Sequence, residues 1–186
     1  MSRIWMVRHG PTHAKGMVGW TDLPADLSDT AALARLNAHL PGVPVISSDL
    51  SRAKATADTL IARPRLAHDP DLRELHFGAW EMRSFAEIEA EAPDHIRAFW
   101  ETPGDVTPPG GESWHALTAR VQTALTRLSH LPEVIVVAHF GPIVAAIQLA
   151  ERLTPTEAFV HRIDNLSVTC LDFGLNSRVH SVNHIA

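Results

Sequence analysis

Cysteine is almost missing from this chain, with Cys170 alone among 186 residues. A single thiol excludes an internal disulfide framework and any zinc-thiolate spacing. Because Cys170 sits in an apolar run, it is expected as a buried, inert side chain. Basic charge is also short: 16 Lys and Arg against 21 Asp and Glu leave a net charge of -5. That balance gives no footprint for nucleic acid or for an anionic membrane, so a bound anion must be held by local positive charge. No apolar run reaches membrane-spanning length, and the opening Met-Ser-Arg-Ile-Trp is too short and too soon charged for a signal peptide. A cytoplasmic protein is expected. Repeats, linkers and low-complexity tracts are absent as well. The length suits one domain over 1–186 with a sizeable core, and 45% hydrophobic with 20% charged residues is an ordinary globular composition.

What is there starts with Ile4 to Gly10, Ile-Trp-Met-Val-Arg-His-Gly. Four apolar residues signal a buried strand, and glycine with Pro11 must stop it. Arg8 and His9 then emerge at the carboxyl edge of a sheet, where open α/β folds keep their ligand sites. On these residues alone, a histidine capping a strand beside an exposed arginine explains the pattern equally well.

Further along, Ser28 and Asp29 open a helix to about Leu40. Val43 to Ser47 reads as a second strand, at an edge because of Pro44. Ser48 to Arg63 reads as a helix entered through Ser48, Asp49 or Ser51, with Ala53, Ala57, Leu60 and Ile61 inward and Arg52 in its first turn. Leu66 to Leu75 carries a weak strand signal. Ser84 with Glu87 has capping-box spacing for a helix that Pro93 interrupts. A long amphipathic helix starts at Ser113 or Glu112, and Val134 to Val137 has the apolar β-forming run of a strand buried on both faces, ending at Ala138-His139. Pro142 is expected as the first residue of the next helix. Thr154 with Glu157 is another capping box, and two strands, Ser167 to Phe173 and Arg178 to Asn183, close the chain. This alternation predicts a three-layer α/β/α sandwich with a mostly parallel central sheet.

If the strands ending in His9 and His139 are parallel neighbours, two imidazoles leave one sheet edge together. Arg8 and Arg52 join them, and paired guanidinium donors suit a phosphate. Phosphoryl chemistry needs a nucleophile, stabilisation of the equatorial oxygens and an acid for the leaving alkoxide. A neutral imidazole can serve as the first, and Glu74 is the best-placed carboxyl for the last, although a Glu near arginines is also a common ion-pair partner. Two further histidine pairs, His9 with His13 and His180 with His184, have four-residue spacing. One straddles a glycine-proline turn and the other spans a strand, about 13 Å, so neither is read as a metal site.

Several segments, in this order, resemble the histidine phosphatase superfamily, also called phosphoglycerate mutase-like: Arg8-His9-Gly10 with Thr12, Gly19 to Pro24, Ser47 to Ala53, Leu72 to Glu81, Pro109 to Ser113, and Val137-Ala138-His139. The resemblance implies a metal-independent phosphomonoesterase without a cofactor, acting on a small-molecule phosphate ester. It implies that His9 is phosphorylated, that Arg8, Arg52 and His139 complete the phosphate pocket with Thr12, Lys15 and Trp20 contributing, and that Glu74 donates the proton. The Leu-Arg-Glu-Leu-x-Phe-Gly-x-Trp-Glu segment is similar to that of the α-ribazole 5'-phosphate phosphatases and of broad phosphomonoesterases. A phosphoglycerate mutase and a non-catalytic phosphate-binding module are the alternatives. The chain departs from the family pattern at Pro11 for Glu, Lys15 for Asn, Met82 for Gly and Phe140 for Gly. Trp100, Trp114 and Phe159 are expected either in the core or on the face of a homodimer.

Overall fold

A computed structural model describing residues 1–186 puts β1 (Ser2–Arg8) at the centre of a five-stranded sheet. The others are β2 (Val45–Ser47), β3 (Glu133–Ala138), β4 (Val168–Phe173) and β5 (Arg178–His184), in the order β2-β3-β1-β4-β5. β1 and β3 pair in parallel, with Val7 opposite Val137 and Arg8 opposite Ala138. β2 is parallel to β3, whereas β4 is antiparallel to both β1 and β5. Four strands therefore run one way and β4 runs against them.

The central strands are apolar on both sides, so both sides need cover. Ile4, Met6, Val134, Val136 and Ala138 feed the larger of two apolar clusters, and Val7, Ile135 and Val137 feed the smaller. On the smaller side lie α1 (Thr30–His39) and α2 (Ser51–Asp58), which contribute Leu36, Ala53 and Ala57. On the larger side lie α3 (Phe85–Glu91), α4 (Pro93–Glu101), α5 (Trp114–Leu128), α6 (Phe140–Glu151) and α7 (Pro155–Ala158). Leu117, Val121 and Leu125 on α5 are fully buried, and each such side chain contributes about 1.5–3 kcal/mol. No helix is long and apolar enough to cross a membrane.

The helix starts follow the polar residues that mark them. Asp29 accepts from Ala32 N and Ser113 from Ala116 N, and both capping boxes, Ser84 with Glu87 and Thr154 with Glu157, are formed. Three expectations are corrected. The helix expected over Ser48–Arg63 is only Ser51–Asp58: the chain turns after it, Ala62 takes a φ of 59°, and Ile61 faces solvent at 71% exposure. Arg63 instead reaches back to the carbonyls of Asn37, Leu40 and Pro41 at the end of α1. Leu66 to Leu75 forms no strand beyond a single bridge from Arg65 to Val45, because Asp69 and Pro70 open a short 3-10 turn over Pro70–Leu72. Pro142 is the third residue of α6, which starts at Phe140. A first-turn N–H has no helical partner, so proline fits there without loss.

Met82, where the resembling family has glycine, sits at a φ of 63° and is 46% exposed. A left-handed backbone costs a side-chain-bearing residue about 1–2 kcal/mol, part of which glycine returns as unfolded-state entropy. Met82→Gly is therefore expected to stabilise the fold by about 0.5–1 kcal/mol, raising the midpoint of a calorimetric melt by about 1–4 °C.

Candidate active site

The β1·β3 register brings His9 and His139 out one residue beyond paired strand ends, and their rings meet edge to face with centroids 4.9 Å apart. The backbone at His9 is held on two sides. Its N–H donates to Ala138 O at 3.1 Å, and its carbonyl accepts from Asn165 Nδ2 at 2.8 Å. His9 Nδ1 lies 2.6 Å from Gly10 O. A carbonyl can only accept, so Nδ1 carries the proton and the lone pair is on Nε2.

Arg52, almost fully buried in the first turn of α2, ties the two imidazoles together. Its Nε–H is shared between His9 Nε2 and His139 Nδ1, each at 3.2 Å. Its other nitrogens donate to Thr21 O at 2.9 Å and Gly19 O at 2.6 Å. Those carbonyls belong to a loop closed around the Glu81 carboxylate, which accepts from the backbone N–H groups of Gly19, Trp20, Thr21 and Phe77 and from the Thr21 hydroxyl. The same loop supplies the cap that α2 lacks from its own residues: Asp22 Oδ1 accepts from Ser51 N at 2.7 Å. Glu81 and Asp22 thus fix Arg52 from both ends.

Glu74 is buried opposite the histidines. Its Oε1 accepts from Leu75 N and from Gly141 N at the start of α6, each at 2.9 Å, while no protein group bonds Oε2. Trp20 Nε1 and Arg120 clamp its backbone carbonyl at 2.8 and 2.9 Å. The close approach at α6 requires glycine, since a Cβ on Gly141 would lie 2.3 Å from Oε1. Burial pushes the Glu74 carboxyl above its ordinary range, against the pull of the two N–H donors, Arg52 and Arg8. With Oε1 occupied as acceptor, a retained proton sits on Oε2.

Arg8, His9, Arg52, Glu74, Thr12 and three small or apolar residues line a cavity of about 140 Å³. Two buried polar atoms here have no partner, Arg8 Nε and His139 Nε2. Because His139 Nδ1 accepts from Arg52, its proton is on Nε2, so both orphans are donors. Unpaired buried donors are rare in a folded protein, and what each of these lacks is an acceptor, the role an anion fills.

Burial, with Arg52 and Arg8 adding to it, drives His9 down to about 3, and burial with His9 alongside drives His139 well below its ordinary value. Between pH 6.5 and about 3 the unfolded chain binds protons that folded His9 refuses, so stability is expected to rise with pH across that window. Glu74 acts in the opposite sense above about pH 4.5, where the folded state keeps a proton that the unfolded state has lost. Urea unfolding at pH 4 and pH 7 checks the first effect: His9→Asn should lose less stability on acidification than wild type.

Two residues expected at the phosphate stand elsewhere. Lys15 is exposed and outside the cavity lining. Trp20 is also outside it, with its indole N–H spent on Glu74 O and its ring against His76 and under the Arg73 guanidinium. Asn165, Asp22 and Arg120 were given no role by the sequence pattern. Asp22 lies within a segment singled out there, whereas Asn165 sits in coil before β4 with no signal of its own.

One imidazole, two guanidiniums and a buried carboxyl line this small cavity, with the second imidazole buried behind Arg52, and together they define a protein that handles phosphoryl groups. The chain belongs to the histidine phosphatase superfamily (branch 1), whose family model matches residues 4–184. It is 30% identical over 203 residues to the adenosylcobalamin/alpha-ribazole phosphatase of Escherichia coli K12, covering 98% of this chain and 99% of that protein. It is 33% identical over 164 residues to the metal-independent phosphoserine phosphatase of Arabidopsis thaliana, covering 80% and 68% of the two. The native structure of mycobacterial glucosyl-3-phosphoglycerate phosphatase superposes with a TM-score of 0.85 at 28% identity over the whole of both chains. Family and relatives together indicate a phosphatase.

Proposed function

We propose that the protein hydrolyses a small phosphomonoester in two steps through a phosphohistidine at His9. The observation that carries this reading is the bond from His9 Nδ1–H to Gly10 O, which puts the lone pair on Nε2, at a cavity lined also by Arg8, Arg52 and Glu74; Nε2 there shares the Arg52 Nε–H with His139, which can keep that bond when Nε2 turns to phosphorus. In the first step Nε2 attacks phosphorus in line, the P–O bond to the alcohol breaks, and the Glu74 Oε2 proton passes to the leaving oxygen. Arg8, Arg52 and His139 stabilise charge on the equatorial oxygens. In the second step water attacks phosphorus, Glu74 takes the water's proton, and the P–N bond breaks to return His9 neutral and release phosphate. No step calls for a metal or a cofactor. The same reading takes 1–186 as one phosphatase domain in the cytoplasm.

The names of the relatives make α-ribazole 5'-phosphate and phosphoserine the first members of a substrate panel scored for released phosphate. The mechanism is tested by quenching the enzyme with a 32P-labelled ester during turnover. Acid-labile, alkali-stable label on His9 is the expected result, and turnover with no labelled protein at any quench time would sink the covalent step.

Arg52 gives a separate check. A lysine keeps the charge but cannot reach both imidazoles and two carbonyls from one planar fork. Arg52→Lys is expected to lower kcat/KM by about 100-fold or more, with phosphate inhibition weakened in parallel.

A further inference from the structure

Beside the phosphate cavity lies a second, apolar slot of about 50 Å³, and Glu74 is the one residue that lines both. Phe77, Phe99 and Trp114 are buried in it, while Trp100, Phe140 and Phe159 are only partly covered. Their rings pack on one another: Phe140 and Trp100 each stand 6.3 Å from Phe159, and Trp100 stands 6.2 Å from Phe77. Glu74 is the one charged residue that lines the slot, the Arg8 guanidinium stands 5.9 Å from the centre of the Phe140 ring outside that lining, and the Trp114 indole N–H is already bonded to Gln148. Phe140 directly follows His139, and Gly141 holds Glu74 through its N–H. The aromatic wall therefore begins at the carboxyl assigned to protonate the leaving oxygen.

Resting on the reading of Glu74 as that acid, we propose that this slot receives the leaving group, and that the substrates are phosphomonoesters of alcohols carrying an apolar group within a few bonds of the ester oxygen. A sugar hydroxyl or carboxylate placed there would give up water for no partner, an unfavourable exchange. A closed apolar cavity of about 150 Å³ holds a whole benzene ring. This smaller, open-mouthed slot takes a ring's leading edge or a short alkyl chain. Area buried in it stabilises ground and transition states alike, so it acts on kcat/KM through KM.

The test compares 2-phenylethyl phosphate, ethyl phosphate and phosphoserine. The first two release alkoxides of similar basicity, so a difference between them reports binding beyond the ester oxygen and not leaving-group chemistry. The expected result is a kcat/KM at least about tenfold higher for 2-phenylethyl phosphate than for ethyl phosphate, carried by KM, with phosphoserine below both. In Phe159→Ala, and separately in Phe140→Gly, each checked for fold by circular dichroism, that ratio falls towards one. Equal kcat/KM for the two alkyl esters, a preference for phosphoserine, or a ratio that survives both substitutions overturns the slot while leaving the phosphatase reading intact. No phosphate from any ester overturns both.

Discussion

His9→Ala is expected to reduce phosphate release by about three orders of magnitude or more and to abolish acid-labile labelling of the protein. Arg8, Arg52 and His139 still gather a phosphate in such a variant, but no neutral lone pair remains to attack it. What is left is water held next to a stabilised phosphorus, and losing a covalent nucleophile typically costs turnover on this scale. KM should move far less than kcat, because His9 offers a phosphate oxygen little that the two guanidiniums do not. His9→Asn separates position from nucleophilicity: it keeps a polar group near Gly10 O and should be as inactive as the alanine variant. Unchanged hydrolysis of 2-phenylethyl phosphate by purified His9→Ala would refute the assignment.

The second large effect belongs to Glu74, and it depends on the ester. An alkoxide leaves with a basicity far above neutral pH and needs a proton in the transition state, so Glu74→Gln should lower kcat for alkyl phosphates by about 100- to 1,000-fold. A 4-nitrophenolate leaves readily without one, so the same variant should lose at most about tenfold on 4-nitrophenyl phosphate in the first step. The pH profile supplies the sign. The acid must be protonated, so activity in wild type falls as pH rises through the raised Glu74 value, and it falls on the acid side as His9 takes a proton near 3. Glu74→Gln should lose the alkaline limb and keep the acid one. Equal loss on both ester types, with both limbs intact, would leave Glu74 as an ion-pair partner only.

Much of this site is legible in the amino-acid order because four of its members stand where one local pattern gives way to another. Arg8, His9 and His139 each end an apolar strand run, and Arg52 falls in the first turn of a helix after β2. Strand period and helix start are short-range properties, so they place such residues without knowledge of the fold. The loop from Pro11 to Asp26 has no period. Its course is set by the Glu81 carboxylate some 60 positions away, which is why Lys15 and Trp20 were expected at the phosphate and stand outside the cavity. Asn165 has no local signal for the same reason: its task in the site is a bond to the His9 carbonyl, just past the end of β1. The aromatic slot needs rings from between positions 77 and 159, and only Phe140, next to the second histidine, hinted at it. The early helix end before Ile61 has another origin. Its apolar spacing continues past Asp58, but Arg63 finds three carbonyls in and just after the last turn of α1, and those bonds hold the chain where it turns.

His9 and His139 directly follow β1 and β3, two interior strands each hydrogen-bonded on both edges. Backbone amides in such positions exchange with solvent only when the whole domain opens. The two imidazoles therefore stand on the last part of the molecule to open, whereas the loop that holds Arg52 can loosen first. Heat is expected to remove the Arg52 clamp before it separates the histidines, so a substitution that stiffens the Pro11–Asp26 loop prolongs the working life of the site more than one on the sheet.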